Sequence, residues 1–369
     1  MMVPYLLKIK SRNMFTYIKK FTGMALVALT LLSQTACNKI EEAEPLEPAN
    51  PSGQTIREIV DTDAKYSLLK LGLTRAGLMD LLGNKLSKFT LFAPDNEAMA
   101  RSGVSEAMIN GLPVPQLRAI MSYHVIPQAL PTAAIPGLPA PNVQMPTLLQ
   151  PLATQPLFKM STFPSKRATG AYVNNVPVTA VDRLAANGVI HDVYGVVLPP
   201  STTMKGLIAA DPQLSFLRAA IARADSGSVG LSKIDSLLNY AFPNITLFAP
   251  TDDAFKALLT FLKLPADPAV FAMLPVRTVR GIVAYHVLAI NGVPAQRIFQ
   301  ANMESRTYET LIGPTPMPPV TIDASFPFAK TVKGNVNPTP SKIDFATSDK
   351  HAVNGVLHKI DQVLLPQMP

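Results

Sequence analysis

Two short apolar runs, residues 90–93 and 246–249, have the length and uniform hydrophobicity of buried strands. Each run stops at a proline, and a residue suited to cap a helix follows, Asp95 in one case and Thr251 in the other. Acidic residues occupy the next turn, where they favour the positive end of the helix dipole. Both segments therefore predict a buried strand, a sharp turn and a helix.

Helical periodicity appears further along the chain and ends each time in a Tyr-His pair. Apolar residues at 117, 120 and 121 precede His124 with the spacing of one helix face, and those at 279, 282 and 283 precede His286. The pattern predicts two helices that each carry a histidine on the apolar face.

An Asn-Gly pair, which is a strong turn signal, is followed twice by a β-branched run, at residues 189–193 and 356–360. This predicts a hairpin whose second strand carries His191 or His358. Further strands are expected at residues 172–173, 176–181 and 343–346, and helices at 55–71, 73–82, 204–210 and 214–224.

These blocks occur twice in the same order. The strand-turn-helix segment recurs after 156 residues, the Tyr-His-Val segment after 162 and the Asn-Gly segment after 167. Slowly growing offsets indicate a duplicated domain, and the period is far too long for a solenoid unit. We expect two domains, a first copy at residues 54–200 and a second copy at 203–369, each with its own core.

The Thr-Leu-Phe-Ala-Pro segment, the Tyr-His-Val segment and the Asn-Gly-Val-(Ile/Leu)-His segment with its Leu-Pro ending resemble, in that order, the fasciclin (FAS1) family. The resemblance covers nearly all of the chain after residue 54. It implies an α+β fold of two tandem FAS1-like domains, each a mostly antiparallel β-sandwich or wedge with helices packed on one side. It also implies extracellular or cell-surface work in adhesion, generally without catalysis.

The first residues have the layout of an export signal. A positively charged stretch precedes an apolar run at residues 24–32, which is too short to span a bilayer, and small residues then lead to Cys37. This order resembles a bacterial lipoprotein signal, in which the cysteine is lipidated after cleavage. We expect a signal peptide over residues 1–36, starting at Met1 or Met14, and lipidation of Cys37. The alternative is an ordinary secretory signal in which the cysteine has no role.

The segment after the cysteine predicts a tether and a location. Residues 37–53 are acidic, rich in proline and without apolar periodicity, so they should form an extended linker. Acidic residues directly after a lipidated cysteine resemble the surface-export signals of some Gram-negative lipoproteins. We expect an outer-membrane lipoprotein at the cell surface, with its lipid in the membrane; a plain solvated linker is compatible with the same residues.

Charge and composition narrow the class of partner. The chain of 369 residues has a net charge of +8, but five basic residues and no acidic residue lie in residues 1–36, which leaves 8 − 5 = +3 for the rest. That charge does not require a polyanion, and we expect no nucleic-acid partner. The single cysteine excludes a disulfide within the chain and a zinc site built on several thiolates.

Few sequence motifs indicate catalysis, cofactor binding or metal binding. The histidines lack the HxxxH and HExxH spacings of metal sites, and the GxSxG elbow and the P-loop frame are absent, so we predict no enzyme activity, no cofactor and no metal site. In animal members of the family the Tyr-His motif is associated with receptor binding, which makes Tyr123, His124, Tyr285 and His286 candidate binding residues. The alternative is that a histidine on an apolar helix face is a buried, hydrogen-bonded core residue.

Two functions fit these patterns. The first is a non-catalytic cell-surface lipoprotein for adhesion, which binds extracellular matrix, a glycan or another surface protein. The second is a structural or accessory subunit of a periplasmic or outer-membrane envelope assembly. It is motivated by the Pro- and Met-rich loops at 138–160 and 317–319, which we expect to expose apolar surface to a protein partner.

Overall fold

The computed structural model describes residues 52–137, 140–151, 154–155, 157–241, 243–290, 297–313 and 319–368, so the predicted signal peptide, Cys37 and most of the tether lie outside the described residues.

The helices of the first copy pack on one side of its sheet. The helices are α1 (Ile56–Thr62), α2 (Ser67–Arg75), α3 (Met79–Leu82), α4 (Asn96–Arg101), α5 (Glu106–Gly111) and α6 (Val114–Tyr123). The predicted cap is confirmed, because the Asp95 side chain accepts a hydrogen bond from the Ala98 N–H at the start of α4.

The first two helices divide differently from the prediction. The pattern predicts one helix over residues 55–71, but the backbone is extended at Asp63, whose side chain caps a short 3-10 helix (Ala64–Tyr66). Helix α2 then runs through Gly72, where the pattern predicts a break. A Cβ on Gly72 would lie 3.0 Å from the sulfur of Met121, so the Met121 side chain would have to shift to admit it.

The main sheet of the first copy has six strands. The strands of this copy are β1 (Phe89–Pro94), β2 (Val125–Ile126), β3 (Met145–Pro146), β4 (Ser161–Thr162), β5 (Pro164–Arg167), β6 (Gly170–Val173), β7 (Val176–Ala185) and β8 (Gly188–Val193). The order is β2-β1-β8-β7-β6-β5, and β3 and β4 pair separately. The predicted hairpin is confirmed as β7–β8, and β8 also pairs in parallel with β1.

A glycine makes the parallel pairing possible. Gly188 opens β8 with a φ of +148°, and a Cβ on it would lie 1.8 Å from the carbonyl oxygen of Phe89. Any other residue would therefore push the two central strands apart. Gly355 holds the same place in the second copy, where a Cβ would lie 2.3 Å from the Ile245 oxygen.

The second copy repeats this plan with its sheet divided in two. Its helices are α7 (Met204–Ala210), α8 (Ser215–Ala224), α9 (Ile234–Asn239), α10 (Asp252–Phe261) and α11 (Val276–Tyr285). Its strands are β9 (Ile245–Pro250), β10 (Val287–Leu288), β11 (Arg306–Tyr308), β12 (Val320–Asp323), β13 (Thr331–Lys333), β14 (Ser341–Lys342), β15 (Lys350–Ala352) and β16 (Gly355–Ile360). They form the sheets β10-β9-β16-β15 and β11-β12-β13-β14.

The strand predicted at residues 343–346 is wrong beyond its first residue. Ile343 makes a single bridge to Ile360, and the chain then turns. Asp344 causes the turn, because its carboxylate accepts hydrogen bonds from the Ala346 N–H at 2.9 Å and the Thr347 hydroxyl at 2.5 Å.

Buried side chains form separate clusters in the two copies. Each copy has one cluster beneath its helices and one within its strands, and a small cluster of Phe163, Phe299 and Val356 joins the copies. The α+β class, with mixed helices and strands in two tandem copies, is confirmed. The boundaries 54–200 and 203–369 stay predictions.

The proline-rich loop of the first copy is largely packed inside. We expect residues 138–160 to expose apolar surface, but Met145, Leu149 and Met160 are buried against the strand cluster of this copy. Leu157 is the exception at 97% exposed. The expectation is therefore wrong for most of the described loop, which fills its own domain; the second loop, at 317–319, lies outside the described residues apart from its last proline.

Candidate functional site

The histidine of each Tyr-His pair ties the end of a helix to the last segment of its copy. His124 follows α6, and its Nδ1 donates a hydrogen bond to the Ile120 carbonyl at 2.8 Å. Its Nε2 accepts one from the Val197 N–H at 3.0 Å. His286 does the same after α11, with the Ile282 carbonyl at 2.7 Å and the Leu364 N–H at 2.8 Å. These partners require the neutral ring with its proton on Nδ1.

Burial of these two rings changes their titration. His124 is 0% exposed and His286 is 1% exposed. Because the charged form loses its hydration there, burial lowers the pKa of both rings to about 4. Both histidines are therefore neutral at physiological pH.

The tyrosine of each pair is also buried and hydrogen-bonded. The Tyr123 hydroxyl donates to the Ser161 carbonyl at 2.9 Å and accepts from the Asn174 amide at 3.3 Å. The Tyr285 hydroxyl donates to the Pro319 carbonyl at 3.2 Å. Burial raises the pKa of both hydroxyls.

The structure thus brings each predicted pair together inside a core. All four candidate side chains, Tyr123, His124, Tyr285 and His286, are at most 1% exposed, and their polar atoms bond within their own copy. This geometry gives them a structural role. A role in binding stays a prediction, and it would require the helix end to open.

The strand histidines make a second bridge of the same kind. His191 Nε2 donates to the Leu130 carbonyl at 2.9 Å, and Nδ1 accepts from the Asp182 N–H at 3.2 Å. His358 bonds in the same way to the Ile298 carbonyl at 2.8 Å and the Asp349 N–H at 3.5 Å. Burial lowers the pKa of both rings. These histidines hold loops onto strands and offer no free nitrogen for chemistry.

Sequence reasoning missed the role of the asparagine in each Asn-Gly turn. Asn187 accepts a hydrogen bond from the Ile56 N–H at 2.8 Å and donates to the Leu82 carbonyl at 2.8 Å, so it clamps α1 to α3. Asn354 clamps α7 to α9 through the Met204 N–H at 2.8 Å and the Leu238 carbonyl at 2.9 Å. The Asn-Gly pair indicated a turn at this position. It did not indicate the hydrogen bonds of the asparagine side chain, because their partners lie more than a hundred residues away in the sequence.

The surface feature that most resembles a contact site lies in the second copy. Phe326, Phe328 and Phe345 are 69%, 75% and 50% exposed, and we call these three residues the aromatic tip. The rings of Phe328 and Phe345 meet edge to face with centroids 5.0 Å apart. In the first copy the turn between β5 and β6, residues 168–169, carries no aromatic residue.

Local hydrogen bonds hold the aromatic tip in place. Asp323, at the end of β12, accepts from the N–H of Ser325 at 2.9 Å and from its hydroxyl at 2.6 Å. Asp344 fixes the neighbouring turn that carries Phe345. Anchored turns reduce the ordering cost of a contact made by the side chains they carry.

Neither a metal centre nor a membrane-spanning helix is found in the described part of the chain. Among those residues no three His, Cys, Asp or Glu side chains are grouped so that they could hold a metal ion. None of the described helices is both long enough and apolar enough to cross a bilayer.

The duplicated motifs correspond to a known domain. A family profile for the Fasciclin domain matches residues 64–199 and again residues 226–366. The chain belongs to the fasciclin family. The resemblance carried by the three repeated motifs is thereby confirmed.

Curated relatives of this fasciclin protein come from bacteria and animals. Protein sll1483 of Synechocystis sp. is 29% identical over 189 residues, which are 50% of this chain and 94% of that protein. Transforming growth factor-beta-induced protein ig-h3 of Oryctolagus cuniculus is 23% identical over 95% of this chain and 45% of its own length. Human periostin is 27% identical over 75% of this chain and 28% of its own length. The chain thus spans less than half of these two animal relatives.

A solved structure of two FAS1 domains is also similar to this chain. A FAS1 domain pair from the insect cell adhesion molecule fasciclin I aligns with 83% of this chain and 98% of that chain, at 17% identity and a TM-score of 0.36. Fasciclin domains are linked with cell adhesion and binding in related proteins.

Proposed function

We propose that this fasciclin protein is a non-catalytic, lipid-anchored protein of the cell surface that binds an extracellular protein or glycan. The sequence layout of residues 1–53 supports export and anchoring through Cys37. The family supports adhesion as the kind of work. The two copies then serve as a scaffold that presents contact surfaces.

The histidine side chains have structural roles, which agrees with a scaffold function. Four of the five histidines bridge backbone groups through both ring nitrogens, and their lowered pKa values keep them neutral. A general base or a nucleophile needs a free atom that faces a substrate. The family is also a non-enzymatic adhesion domain family, so we propose that the protein catalyses no reaction.

The aromatic tip is the observation on which the proposal depends most. Large aromatic side chains are enriched at the centres of binding interfaces, because they bury much area at a low entropy cost. Three phenylalanines that remain at least half exposed on anchored turns are costly to leave in water without a partner. We propose that Phe326, Phe328 and Phe345 form the contact with the partner.

The test compares a double substitution in the tip with a single control substitution, in cells that display the protein. We expect Phe328→Ser with Phe345→Ser to weaken binding to matrix- or glycan-coated surfaces at least about thirtyfold, because two anchors of ~1 kcal/mol or more each are lost. Phe261→Ser is the control, since Phe261 is 69% exposed but lies at the end of helix α10 and not on the turns that carry the tip. If the tip variant and the control attach equally well at equal surface levels, the proposal that the aromatic tip contacts the partner is wrong.

A further inference from the structure

An arginine is buried where the two copies meet. Arg297 is only 5% exposed, and its guanidinium lies over the ring of Phe163 from the first copy, 4.4 Å from its centre. Its two terminal nitrogens donate to His351 Nε2 at 2.8 Å, to the Ala352 carbonyl at 3.2 Å and to the Val353 carbonyl at 3.0 Å. The remaining nitrogen, Nε, is buried without a hydrogen-bond partner.

The positive charge of this arginine has no counter-ion among the described residues. All of its hydrogen-bond acceptors are neutral, and Asn142 of the first copy bonds its backbone carbonyl rather than its charge. Burial lowers the pKa of Arg297 to about 10, so the group remains a cation at neutral pH. A buried cation without an anion is strongly unfavourable, and proteins normally pair such a charge.

The guanidinium lines a cavity between the copies. The cavity has a volume of about 300 Å³, at the small end of the range for ligand sites. Its second cation is Lys159, and no Asp or Glu lines it. Gln144, Ser161 and Asn244 also line it together with apolar residues, and their side chains bond to one another, from Gln144 to the Ser161 hydroxyl at 3.2 Å and from Asn244 to Gln144 at 2.8 Å.

The fold itself does not require an arginine at this position. Leu130 in the first copy matches Ile298 in the second, because each N–H donates to the threonine of its central strand, at 2.8 Å and 2.9 Å. The residue that corresponds to Arg297 is therefore Ala129, which is exposed. The first copy forms this fold without the charge, whereas the second copy buries the charge against the first and beside a cavity, where an anionic ligand would neutralise it.

We propose that this cavity binds the carboxylate of a sugar acid, either free or at the end of an acidic glycan. Guanidinium and ammonium groups are the side chains that recognise carboxylates, and the three hydrogen bonds of the Arg297 guanidinium use three of its five N–H donors, which leaves two unpaired. The amides and the hydroxyl suit the hydroxyl groups of a sugar ring, and the volume fits a single ring. This site is separate from the aromatic tip, so each proposal can fail without the other.

Calorimetric titration of the purified protein tests the proposal with two matched ligands. Galacturonate carries the carboxylate, and galactose is the same ring without the charge. We expect galacturonate to bind at least about tenfold more tightly than galactose, because a charge-assisted hydrogen bond is lost with the neutral sugar. If neither sugar binds, if both bind equally, or if inorganic phosphate binds and galacturonate does not, the proposal is wrong.

Variants locate the binding within the cavity. Arg297→Ala reproduces the residue of the first copy, and we expect it to weaken galacturonate binding about tenfold or more. Its melting temperature is measured alongside, because the carbonyls of Ala352 and Val353 lose a donor. Lys159→Gln, at a less buried position, should weaken binding severalfold and decides the question if Arg297→Ala fails to fold. Unchanged affinity in a folded Arg297→Ala protein would contradict the assignment.

A short oligomer distinguishes the two sources of the sugar acid. Trigalacturonate that binds at least as tightly as galacturonate indicates that the site takes the end of a glycan chain. Trigalacturonate that binds much more weakly indicates a free sugar acid. Both results support a carboxylate site, and they differ only in what delivers the carboxylate.

Discussion

Mild acid should destabilise this protein through the two histidines at the ends of α6 and α11. Each of them accepts a hydrogen bond from a backbone N–H on Nε2. A proton on that nitrogen would therefore bring two donors face to face and remove the acceptor. Burial lowers the pKa of His124 and of His286 to about 4 from the ordinary value of 6.5. The unfolded chain therefore binds more protons between these values, and the free energy of unfolding falls as the pH falls from 6.5 towards 4.

The size of the effect follows from the shift in pKa. Between pH 8 and pH 5 each histidine costs its own copy ~2 kcal/mol of stability, out of the ~5–15 kcal/mol that holds a typical domain, and the two copies together lose ~4 kcal/mol. His191 and His358 act in the same direction, since burial lowers their pKa values too. Asp349 opposes them in the second copy, because burial raises the pKa of its carboxyl group.

Urea denaturation at pH 8 and pH 5 measures the effect. The comparison is the double variant His124→Gln with His286→Gln, because glutamine keeps a donor and an acceptor but does not titrate. We expect the wild type to lose stability at pH 5 and the variant to lose ~4 kcal/mol less. A wild type that is equally stable at both pH values, or a variant with the same loss, would refute the proposed role of these rings.

Three further substitutions, the first with a control variant, test the packing described above. Asn354→Ala should lower the free energy of unfolding of the second copy by ~2–4 kcal/mol, measured in urea, because a buried N–H and a buried carbonyl lose their partner. The control Asn239→Ala, at an exposed position, should change this free energy by less than ~0.5 kcal/mol. Gly188→Ala should prevent the first copy from folding, as seen by loss of its amide protection in hydrogen exchange, since β1 leaves no room for a Cβ. Gly281→Ala, inside α11 with open space around it, should instead raise the melting temperature by a few degrees.

Local patterns predicted the parts of the fold that local physics controls. The apolar runs became β1 and β9, buried at every position, and Asp95 and Thr251 cap the helices that follow. The Asn-Gly pair marked the turn before β8 correctly. These features depend on residues within a few positions of one another.

Features that depend on distant residues were not predictable in this way. Helix α1 ends before Asp63, whose side chain accepts a hydrogen bond from the Lys65 N–H; this local bond competes with continuation of the helix. Met145 and Met160 are buried because the proline-rich loop folds back on its own domain. The position of Arg297 between the copies involves two segments more than a hundred residues apart, and no local pattern marks it.

Protease treatment of intact cells tests the central claim most directly. The comparison is the wild type against Cys37→Ser, with lysed cells as the control for cleavage. If the protein is an anchored surface scaffold, added protease removes the wild type from intact cells, and Cys37→Ser is found in the soluble fraction. A wild type that is cleaved only after lysis, or a variant that stays with the membrane, would contradict the account.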